Sequence, residues 1–152
     1  MGLREQIPED LKNALREKKS LDLMVLRMLQ AAIKNREIDN KGELSDEDIV
    51  QVVSSEVKKR RDSIEEFKKV GREDAAETEQ QEIDVLMNYM PEQLSEEDIA
   101  SKVAELVSES GAKGIKDLGI AMKVVMPALK GKADGKIINK HVREQLEKME
   151  QD

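Results

Sequence analysis

Apolar residues recur along this chain at helical spacing, in stretches that polar and glycine-containing segments separate. In the first stretch they follow an i, i+4, i+7, i+8 pattern, which predicts an amphipathic helix over about 2–18. In the second stretch, residues 21–33, apolar side chains cover nearly the whole circumference. This pattern predicts a central helix that is the most buried one, with Ser20 as its N-cap.

Polar start and stop signals mark two further helices. Ser45, with Asp48 three residues later, is a variant of the capping box and predicts the start of a third helix. Gly71 is expected to end that helix, and a fourth helix carries apolar residues from Ala76 to Met90. Because the connection between the third and fourth helices is short, we expect them to form an antiparallel pair.

Pro91 marks the clearest boundary in the chain. A proline disfavours helical conformation at the residue before it, and the acidic run that begins at Ser95 signals a new helix. The predicted fold is all-α: an N-terminal four-helix antiparallel bundle-like domain over 1–90, a linker over 91–95 and a small three-helix C-terminal subdomain over 96–152. The C-terminal helices are expected near 95–109, 114–129 and 135–149.

Composition restricts the core and the compartment. Phe67 and Tyr89 are the only aromatic residues, so the core is expected to be aliphatic, which suits packed helices. The sequence contains no cysteine, which excludes disulfides and thiolate chemistry. The start of the chain lacks the pattern of a signal peptide, and no run reaches the roughly 18 apolar residues of a membrane span. These features predict a cytoplasmic protein with no membrane partner.

Candidates for catalysis are few. His141 is the only histidine, no serine lies in a G-x-S-x-G motif, and no glycine belongs to a nucleotide-binding loop. We interpret His141 as a partly exposed residue beside an apolar helix face, and the acidic residues between 73 and 84 as a solvated helix face. We therefore predict no catalytic residue, no metal site and no cofactor.

One basic segment, residues 58–72, contains seven basic and three acidic residues. Arg60 falls on the apolar side of its helix, so part of this charge is expected to face the neighbouring helix. Counting back from the turn brings Arg60 level with Glu82 or Asp84, and a desolvated arginine needs such a partner. A structural role is therefore favoured for this segment.

A second basic segment, residues 111–143, contains eight basic and two acidic residues, a local charge of +6 in a chain of net charge -7. Such segregation is typical of phosphate contacts, and the alternative is an ordinary solvated surface. The segment contains no aromatic residue, so recognition of the shape and phosphates of a folded RNA fits better than base stacking. The candidate binding residues are Lys113, Lys116, Lys123, Lys130, Lys132, Lys136, Lys140 and Arg143, with Gly131 and Gly135.

The two glycines allow two interpretations. A tight turn from Gly131 to Gly135 would let backbone N–H groups and the following helix start approach a phosphate closely. The alternative needs no ligand, since Gly131 would end one helix and Asp134 would cap the next. The two interpretations are compatible with each other.

Several stretches together match a known family pattern. They are Leu26-Arg27, Ala31-Ala32-Ile33-Lys34, Glu37-Ile38, Lys59 to Ile64, Gly71 to Asp74, Glu82-Ile83, Tyr89-Met90-Pro91, Gly119, Met122-Lys123 and Gly131-Lys132-Ala133-Asp134-Gly135. With them the chain resembles the GatB/YqeY family, in its stand-alone form, over nearly its whole length. The C-terminal part resembles the tail domain of the GatB subunit of the glutamine-dependent aspartyl/glutamyl-tRNA amidotransferase.

The resemblance implies a tRNA-binding accessory protein, because that tail meets the elbow of the tRNA while the chemistry lies in other domains. The chain lacks the GatB catalytic cradle and the Ser-Ser-Lys amidase apparatus, so we expect it to be non-catalytic by itself. The expected partner is tRNA, and DNA is not expected. Two alternatives remain: a protein-interaction module that docks on an amidotransferase or synthetase, and a carbon-nitrogen ligase with glutamine as amido-N donor.

Overall fold

A computed structural model of the chain describes residues 2–151, and these residues form helices and connecting segments without any strand. The predicted all-α class is therefore confirmed. The helices are α1 (Leu3–Arg16), α2 (Ser20–Asn40), α3 (Asp46–Lys69), α4 (Glu73–Met87), α5 (Glu96–Ser110), α6 (Leu118–Leu129) and α7 (Gly135–Gln151), and a 3-10 helix, Ile115–Asp117, precedes α6.

The described residues form two compact units, of which the first ends at Met90 and the second begins at Pro91. Each unit has its own apolar core. The finer description as a bundle-like domain followed by a linker and a subdomain stays a prediction. The outermost residues of the predicted ranges, Met1 and Asp152, lie outside the described residues.

Helix starts follow local side-chain chemistry in one case and not in another. The Asp48 N–H donates to Ser45 Oγ over 3.2 Å, and the Ser45 N–H donates to Asp48 Oδ2 over 3.3 Å, so the predicted capping box is confirmed. Ser20, by contrast, is the first helical residue of α2 and caps nothing. That prediction is wrong because the α1–α2 turn, with Lys18 at φ 57°, starts the helix one residue earlier.

In the first unit α2 contacts α1, α3 and α4, so it is central as predicted. It is not the most buried helix, however. Its fully buried residues are Val25, Leu26 and Leu29, whereas Met24 and Met28 are 43% and 45% exposed. The prediction is wrong because the three neighbouring helices leave one side of α2 uncovered. The core of this unit consists of Ile7, Ala14, Val25, Leu26, Leu29, Leu44, Ile49, Val52, Val53, Val57, Ile83, Leu86 and Tyr89.

The helices α3 and α4 form an antiparallel pair joined by residues 70–72. Gly71 lies in the left-handed region at φ 74°, where glycine is unstrained, so the predicted helix end is confirmed. Arg60 and Glu82 are both buried, and 3.8 Å separates Arg60 Nε from Glu82 Oε2. Arg60 therefore faces a carboxylate of the neighbouring helix as predicted, and Glu82 rather than Asp84 is its partner.

In the second unit α5, α6 and α7 each contact the other two. Their apolar faces meet in one core that consists of Ile99, Val103, Val107, Ala112, Ala121, Val125, Leu129, Ile138, Val142 and Leu146. Among residues 2–151, none of the helices combines the length and the apolar character that crossing a bilayer requires.

Candidate nucleic-acid interface

The connection between α6 and α7 is a tight turn that a glycine makes possible. Lys130 (φ -57°, ψ 129°) and Gly131 (φ 79°) occupy the central positions of a type II turn. The Lys132 N–H donates to the Leu129 carbonyl over 3.0 Å and closes the turn. Any other residue at position 131 would be strained there. The interpretation of Gly131 as the residue that ends a helix is confirmed.

Asp134 caps α7. Its Oδ1 accepts from the Lys136 N–H over 3.2 Å, and its carbonyl accepts from the Ile138 N–H over 3.0 Å, which confirms the interpretation as an N-cap. A carboxylate of the chain itself thus faces the first turn of α7. The groups offered to an anion in this region are therefore cationic side chains rather than the helix start. Phosphate contact by Gly131 or Gly135 stays a prediction.

The segment before α5 holds the turn from the other side. The Gln93 side-chain amide donates to the Gly131 carbonyl over 2.8 Å, and the Leu94 N–H donates to the Lys132 carbonyl over 2.9 Å. These bonds immobilise the backbone that carries the lysines. This anchor is not predictable from the sequence, because Gln93 is 38 residues away from Gly131 and no local pattern marks it.

Cations of α7 share one exposed face. Lys136, Lys140 and Arg143 lie at i, i+4 and i+7 and point away from the apolar core. Lys130 and Lys132, on the turn before α7, are exposed as well. We call these five residues the α6–α7 cationic surface. Of the candidates that the sequence proposed, these five are exposed on the α6–α7 turn and on one face of α7.

The structure separates two of the other candidates, Lys113 and Lys116, from this surface. The Ile115 N–H donates to Glu150 Oε1 over 2.9 Å, which places the segment of Lys113 and Lys116 beside the end of α7. That end lies about 20 Å along the helix from Lys136 at 1.5 Å per residue. Lys123 is exposed midway along α6. Sequence proximity grouped Lys113 and Lys116 with Lys136, and the path of the chain around α6 separates them.

Nearby polar groups modify the charge of the surface. Glu96 Oε1 lies 3.5 Å from Lys140 Nζ and 3.3 Å from His141 Nε2. The His141 side chain is 12% exposed, so its interpretation as a partly exposed residue is confirmed. Arg143 Nε donates to Asn139 Oδ1 over 2.8 Å, a neutral contact that orients the guanidinium and leaves its charge in place.

The acidic residues of α4 are not a uniformly solvated face. Glu82 is buried against Arg60. Burial and the negative charge of Glu82 raise the pKa of Glu79, whereas Arg60 lowers it. The prediction is correct for exposed members such as Asp84. It is wrong for Glu79 and Glu82, because residues three apart lie on the same face of a helix, and here that face is directed toward α3. In the described part of the chain no acidic or histidine cluster is suited to hold a metal ion.

The first unit contains a cleft of about 380 Å³ between α1, α2 and α3. Isoleucines line its interior, and polar side chains that include Arg4, Lys34 and Glu37 lie along its rim. Arg4 Nη1 is 2.6 Å from Glu37 Oε2, which also accepts from the Leu44 N–H over 3.0 Å. The bond with Arg4, more than that with Leu44, holds the pKa of Glu37 below its ordinary value. Two of the charged side chains on the rim, Arg4 and Glu37, thus neutralise each other.

Comparison with known proteins gives a family and several relatives. The family model described as "Yqey-like protein" matches residues 4–146. A protein of Pyrenophora tritici-repentis, named "Altered inheritance of mitochondria protein 41, mitochondrial", is 33% identical over 142 residues, which are 91% of this chain and 78% of the relative. Proteins of the same name from Lachancea thermotolerans (39% over 106 residues) and Saccharomyces cerevisiae (38% over 102 residues) match 68% and 64% of this chain. The chain spans 57% and 55% of their length.

These names overturn the predicted cytoplasmic location. Each of the three relatives is named as a mitochondrial protein. The prediction was wrong because a cysteine-free composition argues against an oxidising compartment but does not separate one reducing compartment from another. Composition alone therefore carried no information on this choice.

Proposed function

We propose that this chain, which belongs to the YqeY-like protein family, is an accessory protein that holds folded RNA on the α6–α7 cationic surface. The RNA class that we propose is tRNA, because the C-terminal part resembles a tRNA-binding tail domain. We further propose that the chain carries out no chemistry by itself. The names of the relatives mention no RNA, so the proposal depends on this surface.

The observation that carries the proposal is the convergence of five exposed cations on one turn and one helix face. Lys136 and Arg143 are about 10 Å apart along α7, at 1.5 Å per residue. A nucleic-acid duplex carries one negative charge per about 1.7 Å of its axis, so such a stripe faces several phosphates at once. The hydrogen bonds from Gln93 and Leu94 support a pre-ordered surface, which lowers the entropic cost of binding.

The charge of the rest of the chain favours one orientation of the RNA. The net charge is -7, so a polyanion is repelled by most of the protein and attracted by this surface. No aromatic residue belongs to residues 111–143, and base stacking is therefore not part of the proposed mode. Shape and phosphate spacing would select the RNA.

A titration with matched variants tests the proposal. We expect the triple variant Lys132→Glu, Lys136→Glu, Arg143→Glu to bind tRNA at least about tenfold more weakly than the unmodified chain in a gel-shift titration at low salt. The three side chains are exposed, so circular dichroism should show an unchanged fold. A duplex DNA of similar length, titrated in parallel, measures how far shape contributes.

The control carries the same change of charge at the other end of the unit. Lys113→Glu, Lys116→Glu, Lys148→Glu also alters exposed residues, and we expect its affinity for tRNA to fall much less. If the two triple variants lose affinity equally, only the overall charge matters and the proposed surface is wrong. If the unmodified chain does not bind tRNA, the proposed function is wrong.

A further inference from the structure

One side of α2 carries a seam that the other helices of the first unit leave largely exposed, although Arg60 Nη2 of α3 lies 3.8 Å from the sulfur of Met28. Met24, Met28, Ala31, Asn35 and Ile38 follow one another at spacings of four, three, four and three residues. This alternation averages 3.5 residues and is the repeat with which helices pack side by side in coiled coils. The seam is about 21 Å long at 1.5 Å per residue. We call these five residues the α2 seam.

The seam is exposed although its residues are mostly apolar. Met24, Met28 and Ile38 are 43%, 45% and 65% exposed, and Ala31 and Asn35 are exposed as well. The opposite side of the same helix is fully packed, with Val25 at 0% and Leu29 at 1% exposure. Three large apolar side chains in one line form a patch of the kind that marks a binding surface. Methionine in particular adapts its shape to a partner helix.

The charges beside the seam indicate what would cover it. Arg27 and Lys34 are one heptad apart and form a row along one edge of the seam. Both are exposed, and neither makes an ion pair with any other residue in the range 2–151. On the other edge lie Val25 and Ala32, which the body of the unit covers fully or in part. That other edge ends at the exposed Asp39, one heptad beyond Ala32, so positive charge is confined to the edge of Arg27 and Lys34.

We propose that the α2 seam binds an amphipathic helix of another protein, whose apolar stripe at heptad spacing is flanked by Asp or Glu. The apolar side chains would supply the contact area, and the carboxylates would pair with Arg27 and Lys34. Asn35 is the one polar residue of the seam and sets the register, since it needs a polar residue opposite. This inference is independent of the proposed RNA surface, which lies in the other unit.

Two other occupants fit the seam less well. A second copy packed antiparallel would place the row of Arg27 and Lys34 against the same row of its twin, and like charges repel. RNA would contact two cations and a line of apolar side chains that offer no hydrogen bonds. The charge of the edge and the character of the seam thus favour an acidic helix.

Two synthetic peptides can serve as probes. Both contain about three heptads with Leu at the seam-facing positions and Gln at the one opposite Asn35. One carries Glu at the flanking positions and the other carries Lys. Fluorescence anisotropy with the full chain should give binding of the Glu peptide that is at least about tenfold tighter than that of the Lys peptide.

Variants locate the binding. The seam variant Met24→Glu, Ile38→Glu should reduce the affinity for the Glu peptide at least about tenfold, because it places charges in the seam. Arg27→Glu, Lys34→Glu should reverse the preference toward the Lys peptide. The matched control Val70→Glu, Ile120→Glu changes two exposed apolar residues outside the seam, which are 70% and 52% exposed. It should bind the Glu peptide like the unmodified chain.

Three results would overturn the inference. The first is equal affinity for the two peptides, or no affinity for either. The second is undiminished binding of the Glu peptide by the seam variant Met24→Glu, Ile38→Glu. The third is a dimer of the unmodified chain in light scattering that this variant abolishes. The third result would assign the seam to a second copy. Affinity for tRNA should be the same in the seam variant and the unmodified chain, so failure here and failure of the RNA proposal are distinguishable.

Discussion

Arg60 is buried between α3 and α4 in surroundings that are more negative than positive. Its Nη1 donates to the Glu56 carbonyl over 3.0 Å and lies 3.6 Å from Glu56 Oε1, and its Nη2 lies 3.8 Å from the sulfur of Met28. Its Nε, 3.8 Å from Glu82, has no hydrogen-bond partner among the described residues. A buried ion pair with such loose geometry compensates only part of its desolvation, yet the loss of one partner leaves an unpaired buried charge.

Replacing Arg60 alone should therefore destabilise the first unit more than replacing Arg60 and Glu82 together. We expect Arg60→Met to lower the free energy of unfolding of the first unit by about 3 kcal/mol, and Arg60→Met, Glu82→Leu to recover most of this loss. Urea unfolding followed by tyrosine fluorescence measures it, because Tyr89 is the only tyrosine and the chain contains no tryptophan. A single variant as stable as the unmodified chain would contradict the expectation.

Tyr89 is 4% exposed, and its hydroxyl donates to Asp10 Oδ2 over 2.6 Å. Burial, followed by the bond to Asp10, raises the pKa of Tyr89 well above its ordinary value. A raised pKa in the folded state means that the stabilisation is complete below the ordinary tyrosine pKa of about 10. It is then lost as the pH rises above that value, because the unfolded chain ionises first.

Tyr89→Phe should remove this alkaline loss. At neutral pH we expect the variant to be less stable by about 1 kcal/mol, since Asp10 loses its donor. Above pH of about 10 the unmodified chain should lose stability faster than the variant, which serves as the control for titration of lysines. Urea unfolding followed by far-ultraviolet circular dichroism measures both. Parallel pH profiles would contradict the assignment.

At the scale of the element, helix starts with a side-chain cap are independent of the tertiary structure. Ser45 and Asp48 bond to each other's backbone within a single turn, and Ser95 accepts from the Asp98 N–H over 3.1 Å. The start of α2 has no such cap, and there the neighbouring turn decides. Caps therefore mark the elements whose bounds the sequence predicts best.

Ser45→Ala should measure the contribution of the capping box. We expect it to destabilise the first unit by about 1 kcal/mol, because the Asp48 N–H loses its acceptor at the helix start. Ser55→Ala is the matched control, since Ser55 is exposed in the interior of α3. Alanine is the better helix former, so this variant should be equally or slightly more stable. Tyrosine fluorescence during urea unfolding compares the two.

At the scale of the whole molecule, the distribution of charge matters more than its sum of -7. The α6–α7 cationic surface and the edge of the α2 seam are two positive regions on an acidic chain.

If the five cations of the α6–α7 cationic surface contact phosphates, the logarithm of the tRNA affinity should fall against the logarithm of the salt concentration with a slope of about -4. The triple variant at Lys132, Lys136 and Arg143 should reduce that slope to about -2.

The sequence by itself determined the helices and most of their ends. Apolar spacing and the Ser45 capping box act over one or two turns, and Gly71 and Gly131 supply backbone angles that other residues resist. Even the facing of Arg60 toward Glu82 or Asp84 followed from sequence, because a short turn fixes the register of an antiparallel pair, and the structure selected Glu82. All of these are local relations.

Only the tertiary structure decided which surfaces exist. Lys113 and Lys136 belong to one basic segment but lie at opposite ends of α7, because the chain reverses around α6. The apolar circumference of α2 predicted burial, and the number of neighbouring helices left Met24 and Met28 exposed. Both outcomes depend on contacts between residues far apart in sequence, and such contacts leave no periodic signal in the chain.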